Sequence, residues 1–156
     1  MRAGIDVELR IIGGGDFKAL LEQAEYLGVS DRVFFDGTLP SGLAVHEWLD
    51  RLDIYAQPSL TEGLPRALIE AMSRGLPATA SNVGGIPELL GEEYLFRPGD
   101  AIGLAERVRD FILTPNRRIA AGRKNVETAE KYLKSVLDSR REVFLRSVMS
   151  ILADRL

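Results

Sequence analysis

"DIYAQPSLTEGLPRALIEAMSRGLPATAS", residues 53–81, reads as strand, loop, helix and strand in succession. "DIYAQPS" has strand character and is stopped by Pro58, "LPATAS" is a second strand, and the helix between them is predicted from about Leu64 to Arg74. Strands alternating with helices imply parallel strands covered on both faces.

Two glutamates inside this stretch, Glu62 and Glu70, decide what its loop can do. In one continuous helix they would lie about 12 Å apart along the axis and about 80° apart around it, too far to share a task. Gly63 and Pro65 argue against that helix: proline suits a first turn, and glycine permits an unusual backbone just before it. The helix is therefore expected to start near Leu64 or Pro65, with Glu62 in the loop and Glu70 in the second turn.

The loop leaving the carboxyl end of a parallel strand is where ligands bind, because unpaired helix amides converge there. Free amides near Leu64, Arg66 and Ala67 suit a diphosphate, while Pro65 has none to offer. Glu70, acceptor-only when ionised, suits sugar hydroxyls, and Glu62 at the loop mouth could address a second polyol. The neighbours of Glu70 are Ala67, Leu68, Ile69, Ala71 and Met72, among which an idle carboxylate would be costly to bury.

The same alternation extends outward. "DVELRIIGGG" is a strand from about Val7 to Ile12 ending in a tight loop, and "FKALLEQAEYLG" is a helix closed by Gly28. "DRVFFDG" is a strand, "LAVHEWLDRL" a helix, "IPELLG" a helical turn and "YLFRPG" a strand. From Asp100 onward the pattern is purely helical, with Pro115 where a second helix could begin. The expectation is an α/β fold, a Rossmann-like doubly wound parallel sheet with helices on both faces and a helical C-terminal tail. Residues 1–156 are read as one domain, with an α/β core at 1–113 and the tail at 114–156.

Composition narrows the function. A net charge of -3 lacks the basic excess of a nucleic-acid footprint, and zero cysteines exclude disulfides, thiolate metal sites and thiol catalysis. Charged residues interrupt the first fifteen positions, so no signal peptide or membrane span is read there, and a cytoplasmic location is the default.

The stretch "PSLTEGLPRALIEAMSRGLPATASNVGGIPELL", residues 58–90, resembles the signature of retaining glycosyltransferases of the large group 1 family, which have the GT-B fold. It combines the "PS" strand end, both glutamates, "EAM" with "RGLP", and the later "GGIPE". Weaker echoes run from "LRIIGGG" through "DRVFFDGTL" to "YLFRPGD", so the likeness covers roughly Val7 to Leu113. Family members have two Rossmann-like domains facing a cleft, and this chain resembles the carboxy-terminal half, which binds the nucleotide-sugar donor.

The resemblance implies that Glu70 holds the ribose and that Glu62, the catalytic candidate, contacts the donor sugar near the reacting carbon. Gly63, Leu64, Pro65 and Arg66 would cradle diphosphate and sugar, with no cofactor and no metal expected. It also implies a preceding strand and an arginine and lysine loop that clamp the diphosphate, which would lie just before Met1, together with an acceptor domain. In the doubly wound order that strand belongs between "ELRII" and "DIYAQ". The chain is thus expected to be a fragment of a longer enzyme, inactive alone, prone to self-association through its incomplete sheet, and peripheral at the membrane in its full-length form. A nucleotide-sugar epimerase-like domain and a non-catalytic nucleotide-binding or partner-binding module are the alternatives.

Other motifs carry less. "IIGGGDFKA" has Lys18 where a dinucleotide loop needs its third glycine, so a turn is expected there. Gly84 and Gly85 either allow a turn or line the donor cleft. His46, the sole histidine, cannot build a metal site, Arg66 either meets phosphate or points to solvent, and Arg97 is the weaker ligand. Leu133, Val136, Leu137, Val143, Phe144, Val148 and Ile151 form a stripe of the kind that usually packs on its own domain, although in the family the terminal helices cross to the other one, which would leave part of the stripe uncovered here. Asp138, Glu142 and Asp154 dilute any membrane-binding basic face.

Overall fold

The computed structural model describes residues 5–153, with side chains described as far as Ile151; Asp154 lies outside the described residues. All strand pairing is parallel, as the alternation predicts, but it forms two sheets. Strands β1 (Leu9–Ile11) and β2 (Val33–Phe35) pair in register Leu9 with Val33. Strands β3 (Tyr55–Gln57), β4 (Ala78–Ser81) and β5 (Leu95–Phe96) form the second sheet in that order. The sheet is interrupted among the described residues, as the expectation of a missing strand between "ELRII" and "DIYAQ" implies. β1 and β3 do not pair, at the position where the doubly wound order calls for one more strand.

The chain divides into two compact units, one up to Trp48 and one from Leu49 onward. In the first, the glycine loop after β1 is tied down by the Gly13 amide, which donates to the Gly37 carbonyl at 2.9 Å. Helix α1 (Lys18–Tyr26) follows. It ends as Gly28 predicts: that residue has φ +65°, and the Val29 amide reaches back to the Ala24 carbonyl at 2.9 Å. Asp36, just past β2, accepts from Arg10 at 3.1 Å and from the indole of buried Trp48 at 2.7 Å. Trp48 belongs to helix α2 (Leu43–Leu49).

The second unit holds most of the core. All four residues of β4 are buried, and since successive side chains point to opposite faces, both faces of that strand are covered. Ala78 and Ala80 join Leu68 and Met72 of helix α3 (Arg66–Ser73), with Ile86, Leu89 and Leu90 from the turn after β4. Helix α4 (Ala101–Leu113) packs on β4 and β5, and the Asp100 carboxylate caps it by accepting from the Gly103 amide at 2.8 Å. Helix α5 (Pro115–Glu130) starts on its proline, as predicted. It comes so close to the turn after α3 that a Cβ on Gly122 would sit 2.3 Å from the Gly75 carbonyl oxygen. Nearby, buried Asn125 donates to the Leu76 carbonyl at 2.7 Å. Helix α6 (Lys134–Ala153) behaves differently: Val136 and Leu137 are partly covered, whereas Val143, Phe144, Val148 and Ile151 are exposed. Leu133 at the head of the stripe is exposed as well, so only the Val136–Leu137 step is partly covered. No helix among the described residues is long and apolar enough to cross a membrane.

Candidate functional site

The loop from Pro58 to Pro65 leaves the carboxyl end of β3 and enters α3 at Arg66, one residue later than the sequence suggests. Pro65 takes the N-cap position in an extended conformation and is buried, and no side chain caps the helix. The first-turn amides of α3, at Arg66, Ala67 and Leu68, are thus left without intrahelical acceptors, as at any uncapped helix start. Arg66, the first residue of α3, is exposed and forms no ion pair with any described residue.

Glu62 lies in the loop and Glu70 in the helix, as predicted, so a continuous helix no longer separates them. The Glu62 carboxylate is held by Oε1, which accepts from Gln57 Nε2 at 2.6 Å and from Ser59 Oγ at 2.7 Å. Its Oε2 receives no hydrogen bond from a described residue. Gln57 is fixed in turn by the Tyr55 hydroxyl, which donates to Gln57 Oε1 at 3.0 Å. Tyr55 and Gln57 are two apart on β3 and share one face of the strand, which sets this chain of contacts.

Glu70 is half-buried, and its carboxylate makes no hydrogen bond or ion pair with a described residue. Its apolar neighbours on the helix, Leu68, Ala71 and Met72, turn into the core and leave it at the margin. The two glutamates meet electrostatically at Tyr55. Burial pushes that phenol up to about 12, and the negative charges of Glu62 and then Glu70 push it in the same direction. The arrangement is a pair of carboxylates with unused acceptor oxygens near a helix start with unused donors. It can grip a ligand rich in hydroxyls at one end and anionic at the other.

The glycines play other parts than expected. Gly63 has no positive φ, and a Cβ there would meet nothing within 4 Å, so the unusual backbone that a glycine permits is not used there. Its bare, exposed surface leaves room for a ligand to approach the main chain. The unusual backbone is at Gly84, with φ +54°, where an added Cβ would lie 2.1 Å from the Glu62 carbonyl oxygen. The Gly85 amide donates to the Gly63 carbonyl at 2.7 Å, and a Cβ there would press on Leu64 Cδ1 at 3.0 Å. Gly84 and Gly85 therefore clamp the main chain of the glutamate loop from behind. Leu64 is partly exposed beside them.

The other candidates are described within their own units. The Gly13–Gly15 loop belongs to the first unit, the His46 side chain is half-buried on α2 without a hydrogen-bond partner among the described residues, and Arg97 is exposed after β5. Among the described residues no group of three or more histidines, aspartates or glutamates is placed to hold a metal ion. Sequence reasoning missed Tyr55, Gln57 and Ser59. The signal for the first two was the two-residue period of β3, which places them on one face next to the glutamate loop.

Comparison with known proteins gives this geometry a setting. The family model for glycosyl transferases group 1 matches residues 2–141. Protein CapJ of Staphylococcus aureus is 34% identical over 151 residues, covering 97% of this chain and 39% of that protein. The sulfoquinovosyl transferase SQD2 of Arabidopsis thaliana is 32% identical over 133 residues, covering 81% of this chain and 25% of that protein. Among solved structures, Anabaena Alr3699/HepE in complex with UDP superimposes with a TM-score of 0.80 at 24% identity, over 91% of this chain and 41% of that one. The same protein is also solved with UDP-glucose. This chain thus spans 39% and 25% of the lengths of these two curated relatives.

Proposed function

We propose, from the fact that this chain belongs to the glycosyl transferases group 1 family, that it is the donor-binding part of a glycosyltransferase. It would take a sugar from a nucleoside-diphosphate carrier for transfer, with retention, to a polysaccharide, lipid or other acceptor. The observation that carries this reading is the pairing of two under-used carboxylates, Glu62 and Glu70, with the uncapped start of α3. The UDP and UDP-glucose complexes of a protein with the same fold support the choice of ligand class.

In this reading Glu70 accepts hydrogen bonds from the ribose, and Glu62 accepts from a hydroxyl of the donor sugar close to the reacting carbon. The diphosphate lies along Gly63 to Arg66, against the amides of Arg66 and Ala67. When the bond from the anomeric carbon to the diphosphate oxygen breaks, negative charge grows on the leaving group. Amides and a guanidinium aimed there stabilise the transition state more than the ground state. Complete transfer is assigned to a longer cytoplasmic protein in which another domain presents the acceptor, and this chain alone would bind donor without turnover.

Calorimetry with UDP, GDP and ADP tests the reading. One of the three is expected to bind the chain, and Glu70→Ala is expected to weaken it by about tenfold, the loss of one or two hydrogen bonds to a charged acceptor. Unchanged affinity in Glu70→Ala would remove the ribose role. Retention is read from the anomeric configuration of the product of the full-length enzyme by NMR.

A further inference from the structure

The geometry points to Tyr55 and Gln57 as positioning residues that hold Glu62 with one carboxylate oxygen turned out for the donor sugar, an inference that rests on the nucleotide-sugar reading above. The Gln57 amide is constrained at both ends. Its oxygen accepts from the Tyr55 hydroxyl at 3.0 Å, so its nitrogen is the end that faces Glu62, at 2.6 Å. The reversed amide would set its oxygen against a carboxylate oxygen and strand the phenol proton, so only one orientation satisfies every group. Ser59 adds a second donor to the same Glu62 oxygen at 2.7 Å.

Both protein donors are spent on Oε1, and no described residue donates to Oε2. A carboxylate held this way is an acceptor with a fixed direction, which is what a site reading one sugar hydroxyl requires. The tyrosine proton is essential to the chain of bonds. Burial and the two nearby carboxylates keep that proton in place throughout the physiological range. Neither Tyr55 nor Gln57 needs to touch the ligand. They act through Glu62.

The test separates sugar from nucleotide. Affinities of the chain are measured for UDP-glucose, GDP-mannose and ADP-glucose, each beside its bare nucleoside diphosphate. For whichever pair binds, the sugar nucleotide is expected to bind more tightly than the diphosphate. Gln57→Leu and Glu62→Gln should each erase that advantage by about tenfold while leaving the bare diphosphate within about twofold. The double variant should lose no more than either single one, because both act on a single contact. Tyr55→Phe and Ser59→Ala, milder changes that keep the packing, should each give a smaller loss of the same kind, about threefold, so a folding defect in Gln57→Leu does not decide the matter.

Equal losses for sugar nucleotide and bare diphosphate would overturn the inference, as would additive losses in the double variant. So would a wild-type chain that binds the diphosphate but gains nothing from the sugar, which leaves the nucleotide site intact. Failure of every diphosphate to bind wild-type protein would instead strike the nucleotide-sugar reading itself, and this inference with it.

Discussion

The strand, loop and helix from Leu9 to Tyr26 and those from Tyr55 to Ser73 are built to the same local plan, yet they are completed very differently. Helix α1 buries only Ala24, and Leu20, Leu21 and Leu27 on and beside it stay about half exposed. Helix α3 buries Leu68, Ala71 and Met72 with no exposed surface at all. Both helices are short, and local propensity does not separate them. What differs is what lies against them: α3 has β4, α5 and the turn around Ile86, whereas α1 packs on the single turn Ser30–Arg32. A βα unit is specified by its sequence, but it is stabilised by neighbours that cover its apolar face.

The sharpest way to break this comparison is to truncate one leucine in each helix. Leu68→Ala empties a fully buried position and should cost about 3 to 5 kcal/mol in urea unfolding, through lost transfer energy and a residual cavity. Leu21→Ala, at a position 52% exposed, should cost less than about 1 kcal/mol. Similar costs at the two sites would mean that α1 is covered in solution by something the described residues do not supply.

The two loops differ in the same sense, with a smaller expected effect. Gly84 combines φ +54° with a Cβ position 2.1 Å from a backbone carbonyl, which cannot move aside as a side chain would. Gly84→Ala should therefore destabilise by about 2 to 4 kcal/mol, combining the left-handed backbone penalty with overpacking. It should also displace the Glu62 main chain and weaken binding of UDP or its equivalent. In the first loop, Gly14 has no positive φ, and an added Cβ would meet only Thr38 Oγ1 at 3.4 Å, an ordinary contact. Gly14→Ala should stay within about 0.5 kcal/mol of wild type. Thermal unfolding of the two variants side by side measures the contrast.

How much of this was legible in the sequence depends on the range of the interaction involved. Short-range signals held: Gly28 ends α1, Pro115 starts α5, and the alternation of strands and helices is correct from Leu9 to Phe96. The break between β1 and β3 falls where the family resemblance placed a missing strand, although local pattern alone does not tell which strands pair across the chain. The backbone freedom that Gly63 permits is not used. Residues next to Pro65 were asked to supply the special backbone, but the tight approach is made from across the site by Gly84. The stripe on α6 shows that spacing tells which side chains share a face and not whether anything covers it. The placement of the glutamates was legible, because Pro65 marks the helix start and so puts Glu62 in the loop and Glu70 in the helix. Tyr55 and Gln57 were not, because a polar pair on a strand face acquires meaning only once the loop that faces it is placed.

The smallest effect at neutral pH is also the most specific to the second loop. Tyr55→Phe removes one hydroxyl and its bond to Gln57, which should cost about 1 kcal/mol near pH 8. The larger signal appears in alkali. In the unfolded chain the tyrosine ionises near the ordinary phenol value of 10.0, whereas in the folded protein it is held up to about 12 by burial and then by Glu62 and Glu70. Between those values the folded state keeps a proton that the unfolded state has lost, so the stabilising contribution is whole below about pH 10 and falls away as pH rises through about 12. Two pH units correspond to about 2.7 kcal/mol, which wild type should lose over that window and Tyr55→Phe should not lose from this source. The two stability curves should therefore start with wild type above, and then cross. Parallel curves would mean that neither burial nor the two carboxylates holds the proton on the phenol, and the buried Tyr55–Gln57 contact that links the β3 face to the glutamate loop would be in question with it.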